Sequence, residues 1–236
     1  AAGKGTFSTE EVAYQVQRAR LHDIVGHKKL ILPQLAAVGV AAMKLKQLCN
    51  FRAVFGPVRA TDLPAFLSGT VDDEERMRSV TFTVKERLEL IPVEICMMYK
   101  PLMAVLLAAI LISGFGPDIF SAKAAIGRGY QFFLATVIAI LSGAVVTPIS
   151  LPWLPGRQFW IKGLIASALG ALLFTGFSTP SSKNGLGTIA LICWILAVGS
   201  YLAMNFTGST PYTSLSGVEK EMRKGLMIQI PLAVIA

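Results

Sequence analysis

Charge is scarce in this chain of 236 residues: 15% are Asp, Glu, Lys or Arg, against about 25% in a soluble domain. Histidine is scarcer still, with only His22 and His27, and cysteine stops at three. Cys49, Cys96 and Cys193 lie far apart and form no Cys-x-x-Cys pair. That excludes a disulfide framework and the usual zinc-ligand spacings, and leaves each thiol reduced and in a packing role. Nothing resembles a Ser-His-Asp triad or a metallohydrolase pattern, so the chemistry of an enzyme built this way is carried by a cofactor. The chain also has no initiator Met and no signal peptide, which suggests that residues preceding Ala1 are missing.

What is abundant is apolar: 53% of residues are hydrophobic. They are unevenly spread. Residues 1–90 hold 13 of the 22 basic and 10 of the 14 acidic residues, an ordinary soluble balance, and the remaining charges are scattered over long apolar runs. The sequence therefore reads as a soluble head, residues 1–82, followed by a transmembrane part, residues 83–236. The net charge of +8 is no nucleic-acid signal, because its excess lies largely between the hydrophobic runs, where Lys and Arg set topology.

The head opens on Ala1-Ala2-Gly3-Lys4-Gly5-Thr6, a dense run of small residues. Such a run is either an ordinary glycine-rich loop or a flat platform against which something bulky lies. Ser8 with Glu11 forms a capping-box pattern that starts a helix running to about His22. Lys28–Pro33 and Arg52–Phe55 read as strands, residues 39–48 as a helix, Asp62 as the cap of a short helix, and Val80–Thr83 as a third strand. This alternation predicts an α/β, Rossmann-like layered domain, too short to be complete at its N-terminus. In such sheets ligands sit beyond the carboxyl ends of the strands. Here those ends are Pro33-Gln34 and Gly56-Pro57-Val58-Arg59, which are either binding loops or simple tight turns.

Two phosphate- or metal-like patterns fail. In Gly3-Lys4-Gly5-Thr6 a glycine stands where a phosphate loop needs Ser or Thr directly after the Lys. The acids Asp72-Asp73-Glu74-Glu75 read as a solvated helix start.

Thr83 and Glu86 make a second capping box, ahead of an apolar stretch interrupted by Pro92 and Pro101. Four complete spans are expected, at about residues 92–113, 130–146, 160–177 and 186–204, with a truncated fifth from 226, making an all-α polytopic bundle. Placing the head on the cytoplasmic side puts Lys85, Arg87, Arg157, Lys162, Lys220, Arg223 and Lys224 inside, and Lys123, Arg128 and Lys183 outside. Gly163, Ser167 and Ala171 form a small-residue stripe suited to helix packing. The hydroxyl-rich stretch Asn205–Met222 is long for a helix connection and reads as a functional loop or a plain linker.

Taken together, these residues carry a resemblance. Ala1-Ala2-Gly3-Lys4-Gly5-Thr6-Phe7 resembles the tail of the cap helix in the mercury-methylating corrinoid protein family, HgcA, whose hallmark is Asn-(Val/Ile)-Trp-Cys-Ala-(Ala/Gly)-Gly-Lys. Leu30–Leu35, Phe55–Ala60, Asp62–Phe66 and the Asn205–Met222 stretch are also similar, as is the order of a corrinoid domain and then a membrane bundle. The cap motif alone is shared with the corrinoid iron–sulfur protein of the acetyl-CoA pathway. His22–His27 does not fit the Asp-x-His-x-x-Gly signature of corrinoid proteins that ligate cobalt through histidine, since no histidine stands two residues after Asp23.

The resemblance implies a membrane-anchored, corrinoid-dependent methyltransferase that passes a methyl group from the cobalt of a cobalamin-type corrinoid to Hg(II). It implies a ferredoxin-like partner with two [4Fe–4S] clusters, a methyl donor linked to methyl-tetrahydrofolate, and a place in the cytoplasmic membrane with the corrinoid domain on the cytoplasmic side. The cofactor-binding residues would be Ala1, Ala2, Gly3, Lys4, Gly5, Thr6, Pro33, Gln34, Gly56, Pro57, Val58 and Arg59. The cobalt-ligating Cys of the family would precede Ala1, and none of Cys49, Cys96 and Cys193 matches it. Alternatives are a corrinoid methyl carrier of one-carbon metabolism, and a non-enzymatic membrane protein with a cytoplasmic binding domain. The gene should encode Asn-x-Trp-Cys directly before Ala1. Sequencing that shows another residue at the Cys position would sink mercury methylation and leave corrinoid binding open.

Overall fold

A computed structural model describes residues 7–69, 74–116, 119–177, 185–210 and 213–236. The chain divides into two compact units, Ala1–Phe82 with Thr207–Glu219, and Thr83–Phe206 with Lys220–Ala236.

The first unit is built on one parallel strand pair. β1 (Lys29–Pro33) and β2 (Arg52–Gly56) run in register from Lys29 opposite Arg52 to Pro33 opposite Gly56. They are joined by a 3-10 turn, Gln34–Val38, and by α3 (Ala42–Cys49). Parallel strands need such a crossover. Ahead of them lie α1 (Thr9–Arg18) and α2 (Leu21–Ile24). The apolar face of α1, with Val12, Ala13 and Val16, meets Leu45, Cys49 and Phe51 over one face of the strands. Beyond β2 come α4 (Leu63–Ser68) and α5 (Glu74–Arg78).

Local chemistry sets the ends of these elements. Ser8 Oγ accepts from the Glu11 N–H, the forward half of the capping box. The return half is missing, because the Glu11 carboxylate takes the Gln15 amide instead. The helix expected to reach His22 breaks sooner. Arg20 adopts a left-handed conformation, φ 48°, between α1 and α2. Asp62 precedes α4 but does not cap it with its side chain, since its helical backbone, φ −89° and ψ −8°, lacks the extended geometry that capping requires. The third strand expected at Val80–Thr83 is absent: these residues carry no ladder. Phe82 has φ 44°, outside the extended region, and Thr83 is committed to the next helix as its cap. Of the Rossmann-like α/β expectation, the described residues show a small two-stranded parallel sheet with helices and no further strand of that sheet.

The second unit is helical apart from the two-residue strands β3 (Phe115–Gly116) and β4 (Ile119–Phe120). α6 (Val84–Ser113) starts on a complete capping box, with Thr83 and Glu86 bonded both ways. It runs unbroken for 30 residues, so Pro92 and Pro101 do not divide it. α7 (Ala122–Ile140) passes into a π turn, Leu141–Val146, and ends in α8 (Thr147–Ile149). α9 (Phe159–Phe177), α10 (Gly185–Asn205) and α11 (Leu215–Ile235) follow. Among the described residues, four stretches are long and apolar enough to cross a membrane: Val84–Ser113, Ala125–Ile149, Phe159–Gly176 and Gly185–Ser209. The Asn205–Met222 stretch is less open than expected. Residues 206–209 form a 3-10 turn and α11 already begins at Leu215.

Small residues let the spans touch backbone to backbone. A Cβ added to Gly143 would stand 2.2 Å from the Gly199 carbonyl oxygen, and one on Gly163 would stand 2.5 Å from the Ala203 Cβ. The Gly163–Ser167–Ala171 stripe is thus a packing face of α9, with Ser167 pressed on Gly199. The π turn belongs to this contact. The Ser142 carbonyl receives both the N–H and the hydroxyl of Thr147, five residues on, which fixes the turn carrying Gly143.

Replacing Gly143 by Leu should cost about 1–3 kcal/mol or more through overpacking, read as loss of thermal stability in detergent. Gly176, whose Cβ would meet nothing within 4 Å, should accept Ala with little change. In the first unit, the Lys44 ammonium bonded to Glu10 holds that carboxyl below its usual range. The pair's contribution is therefore present above the ordinary carboxyl pKa and lost as pH falls through the lowered one. Lys44→Met should move the Glu10 titration upward in a carboxyl-resolved NMR experiment. Added salt should weaken the effect in the wild-type protein, because both side chains are exposed.

Candidate functional site

The register of the strand pair decides where a ligand site can form. Because Pro33 stands opposite Gly56, the two carboxyl ends reach the same edge of the sheet, bringing Pro33-Gln34 alongside Gly56-Pro57. The ladder stops there because Pro33 lacks an N–H and its backbone, φ −61° and ψ 148°, turns into the 3-10 segment.

Five residues give the edge its chemistry. Gln34 Oε1 is buried and has no hydrogen-bond partner. A buried amide oxygen in that state costs roughly 1–3 kcal/mol, and such atoms point to a missing partner. Gly56 lies under Phe66: a Cβ there would come within 3.1 Å of Ile31 Cγ2 and 3.3 Å of Phe66 Cε1. Pro57 is buried behind it. The Val58 N–H is already committed to the Met77 carbonyl at 2.9 Å, so it is no donor for a ligand. Arg59 is exposed at the rim.

The start of α1 is tied to the same end of the unit. Thr9 Oγ1 accepts from the Ala41 N–H at 2.9 Å, and Ala41 is the residue that opens α3. In a crossover from one parallel strand to the next, the helix begins at the end where the first strand finishes. Phe7, beside Thr9, packs on the core. The residues Ala1 to Thr6 lie outside the described residues.

The fit to a corrinoid can be tested on these groups. The rim of a corrin ring carries carboxamides, and the unpartnered Gln34 Oε1 is an acceptor complementary to their N–H groups, beside the Gly56-Pro57 turn. The metal is not served. Among the described residues no three His, Cys, Asp or Glu side chains converge on a metal site. Cys49 is buried in the core with its thiol on the Leu45 carbonyl, and His22 rests against the Phe51 ring. The edge suits the rim of the ring and leaves cobalt without a ligand from it.

Sequence reasoning placed Pro33-Gln34 and Gly56–Arg59 at the ends of strands, and both segments do follow β1 and β2. It missed the polar groups inside the second unit. Arg87, expected as a topology-setting surface cation, is 6% exposed, and its Nη1 donates to the carbonyls of Pro148 at 3.1 Å and Ile149 at 2.9 Å. Lys162 Nζ donates to the Leu151 carbonyl at 2.5 Å. Two cations from different helices thus cap the chain where the second span ends, and they complement its negative dipole end. Glu94 is 7% exposed within α6. Gln229 Nε2 donates to Ser200 Oγ, which donates to the Trp160 carbonyl, while the Trp160 N–H is taken by the Glu221 carboxylate. In the hydroxyl-rich stretch, Thr210 Oγ1 bonds the Thr207 carbonyl and meets Thr213 Oγ1 at 3.0 Å. Thr207 Oγ1 is itself buried without a partner.

Comparison with protein-family models, with curated proteins and with solved structures finds no match.

Proposed function

We propose that the chain is a membrane-anchored corrinoid protein of Rossmann-like type, and that its role is methylation of Hg(II). The observation that carries the reading is the shared carboxyl edge of β1 and β2, with the unpartnered Gln34 amide beside Gly56-Pro57, in a chain that also has four apolar helices long enough to span a bilayer. The resemblance of Ala1–Phe7 to a corrinoid cap supports it.

In this reading Gln34 hydrogen-bonds a carboxamide on the rim of the ring, beside the Gly56-Pro57 turn. Arg59 offers a cation to polar groups at the periphery. The small side chains of Ala1–Thr6 let the cap backbone approach the ring closely. When bound, the corrinoid supplies cobalt that carries a methyl group to Hg(II), an electrophile that takes it with the bonding electron pair. The bundle holds the head at the cytoplasmic face, where a ferredoxin-like protein with two [4Fe–4S] clusters supplies electrons and a methyl-tetrahydrofolate-linked donor supplies methyl groups. A corrinoid methyl carrier of one-carbon metabolism uses the same edge and differs only in its acceptor.

Purified protein titrated anaerobically with cobinamide should bind saturably, with a shift in corrinoid absorbance. Gln34→Leu should weaken binding by roughly 3–10-fold, the worth of one hydrogen bond. No binding would exclude both corrinoid readings and favour a membrane protein without this cofactor. Binding without methylmercury formation, in membranes supplied with Hg(II), the ferredoxin-like protein and a methyl donor, would favour the carrier.

A further inference from the structure

We propose that the uncovered face of the β1–β2 pair docks an acidic amphipathic helix of a partner protein. The inference stands on the strand pair itself and does not depend on the corrinoid.

The register sorts the side chains between two faces. Successive residues of a strand point to opposite faces, and Lys29, Ile31 and Pro33 stand opposite Arg52, Val54 and Gly56. The residues between them, Leu30, Leu32, Ala53 and Phe55, belong to the core beneath α1 and α3. The six paired residues therefore share the other face. Phe66 of α4 reaches that face at its Gly56 end, close to Gly56 and Ile31. Toward the amino ends the face opens: Ile31, in the middle of β1, is 42% exposed, Val54 is half-buried, and Lys29 and Arg52 are exposed.

Parallel strands occur almost only with both faces covered, usually by helices. A parallel pair with one open face is therefore short of a cover. Where the cover is a permanent part of the domain, the strands read as near-continuous apolar runs. This face instead carries Lys-Ile-Pro on one strand and Arg-Val-Gly on the other. Such a mixed face is compatible with water as well as with a protein surface, which is what a cover that arrives and leaves requires.

Charge states what the partner carries. Lys29 stands directly opposite Arg52, on strands about 4.8 Å apart, and like charges so placed are destabilising. Among the described residues no acidic side chain pairs with either of them. Carboxylates set over the pair remove the repulsion and accept from both cations. Ile31 and Val54 lie two residues along their strands, about 6.6 Å, close to one helical turn of about 5.4 Å. Apolar side chains one turn from the carboxylates thus meet them. A helix laid antiparallel to the strands, as in α/β crossovers, brings its carboxyl end over the cations, where its dipole adds to the attraction. A lipid surface is served less well, because the exposed aliphatic groups lie within strands and do not project from a loop.

The test uses the full chain in phosphatidylcholine nanodiscs, with isoleucine methyl groups labelled for NMR. The probe is a stapled helical peptide with leucine at i, i+3 and i+7 and glutamates on the same face in its last turn. Its twin has glutamine in place of those glutamates. The acidic peptide should bind saturably and shift the Ile31 methyl signals. The twin should bind roughly 3–10-fold more weakly, the range of two exposed ion pairs, and added salt should narrow the difference. Lys29→Glu with Arg52→Glu keeps two like charges in place on an exposed face, so folding is not at stake, and should reverse the order of the two peptides. Cobinamide binding should be unchanged in that variant, since the Gln34 edge lies at the other ends of the strands. Ile31→Gln should weaken both peptides. No saturable binding, equal affinity for the two peptides, or an unaltered preference in the charge-reversed protein would overturn the proposal. Lipid-to-Ile31 NOEs in phosphatidylglycerol nanodiscs without peptide would overturn it too, and would give the face to the bilayer surface.

Discussion

The second unit depends on one close approach, that of Gly143 in the π turn to the backbone of Gly199 in α10. Nothing larger than hydrogen fits there, since a Cβ on Gly143 would lie 2.8 Å from the Gly199 Cα. Inside a bilayer, helices gain little by hiding apolar surface from one another, because lipid tails are as apolar as leucine. Close packing and hydrogen bonds supply the association instead. That explains why the buried residues here are so small. Ala135, Ala139, Ala166, Ser167, Ser200 and Ala203 are almost wholly enclosed, while Leu169, Leu172 and Leu173 face outward. The backbone contact sets the spacing of α7, α9 and α10, and the larger groups then fill the remaining volume. Phe132 and Trp194 stack with ring centroids 4.8 Å apart, and the indole N–H finds Thr136 Oγ1 at 3.0 Å.

The first unit works on the opposite principle. Its core is a water-driven cluster in which α1 and α3 cover one face of two strands. A two-stranded sheet is marginal alone, so those helices are what keep β1 and β2 in register. The register, in turn, brings Gln34 beside Gly56. The candidate site is therefore a consequence of packing on the far side of the sheet from Phe66. The Thr9–Ala41 bond locks the first turn of α1 to the N-terminal end of α3, and so holds Thr9 at the end of the unit where both strands stop.

What was legible in the sequence follows from how local each signal is. The spans were legible because hydropathy sums over some twenty residues, and their observed cores coincide with the expected ones. The Thr83–Glu86 box and the Gly163–Ser167–Ala171 stripe were legible because all their information lies within a few residues. The strand Val80–Thr83 was misread because β-branched and aromatic composition is only permissive; Phe82 and Thr83 were recruited to turn the chain into α6. The Asn205–Met222 stretch was read as loop from its hydroxyl groups. Its second half nevertheless continues α11, where Ser214 Oγ accepts from the Gly217 N–H as a cap does. The burial of Arg87 was invisible because its acceptor carbonyls lie 61 and 62 residues away. Gln34 and Arg59 were singled out by the position of their loops after strands, and that reasoning fixes a place without fixing a ligand.

The buried polar groups of the second unit share a logic that joins its packing to its topology. Arg87 and Lys162 were expected to hold the N-terminal end of α6 and the start of α9 on one side of the membrane by charge alone. Each also satisfies carbonyls at Pro148, Ile149 and Leu151, where the helix after the π turn has run out of N–H partners. Each cation thus ties its own helix to the end of the stretch that follows the π turn, a contact that belongs to the assembly of the second unit. Glu94, two turns further along the same face of α6, is buried as well.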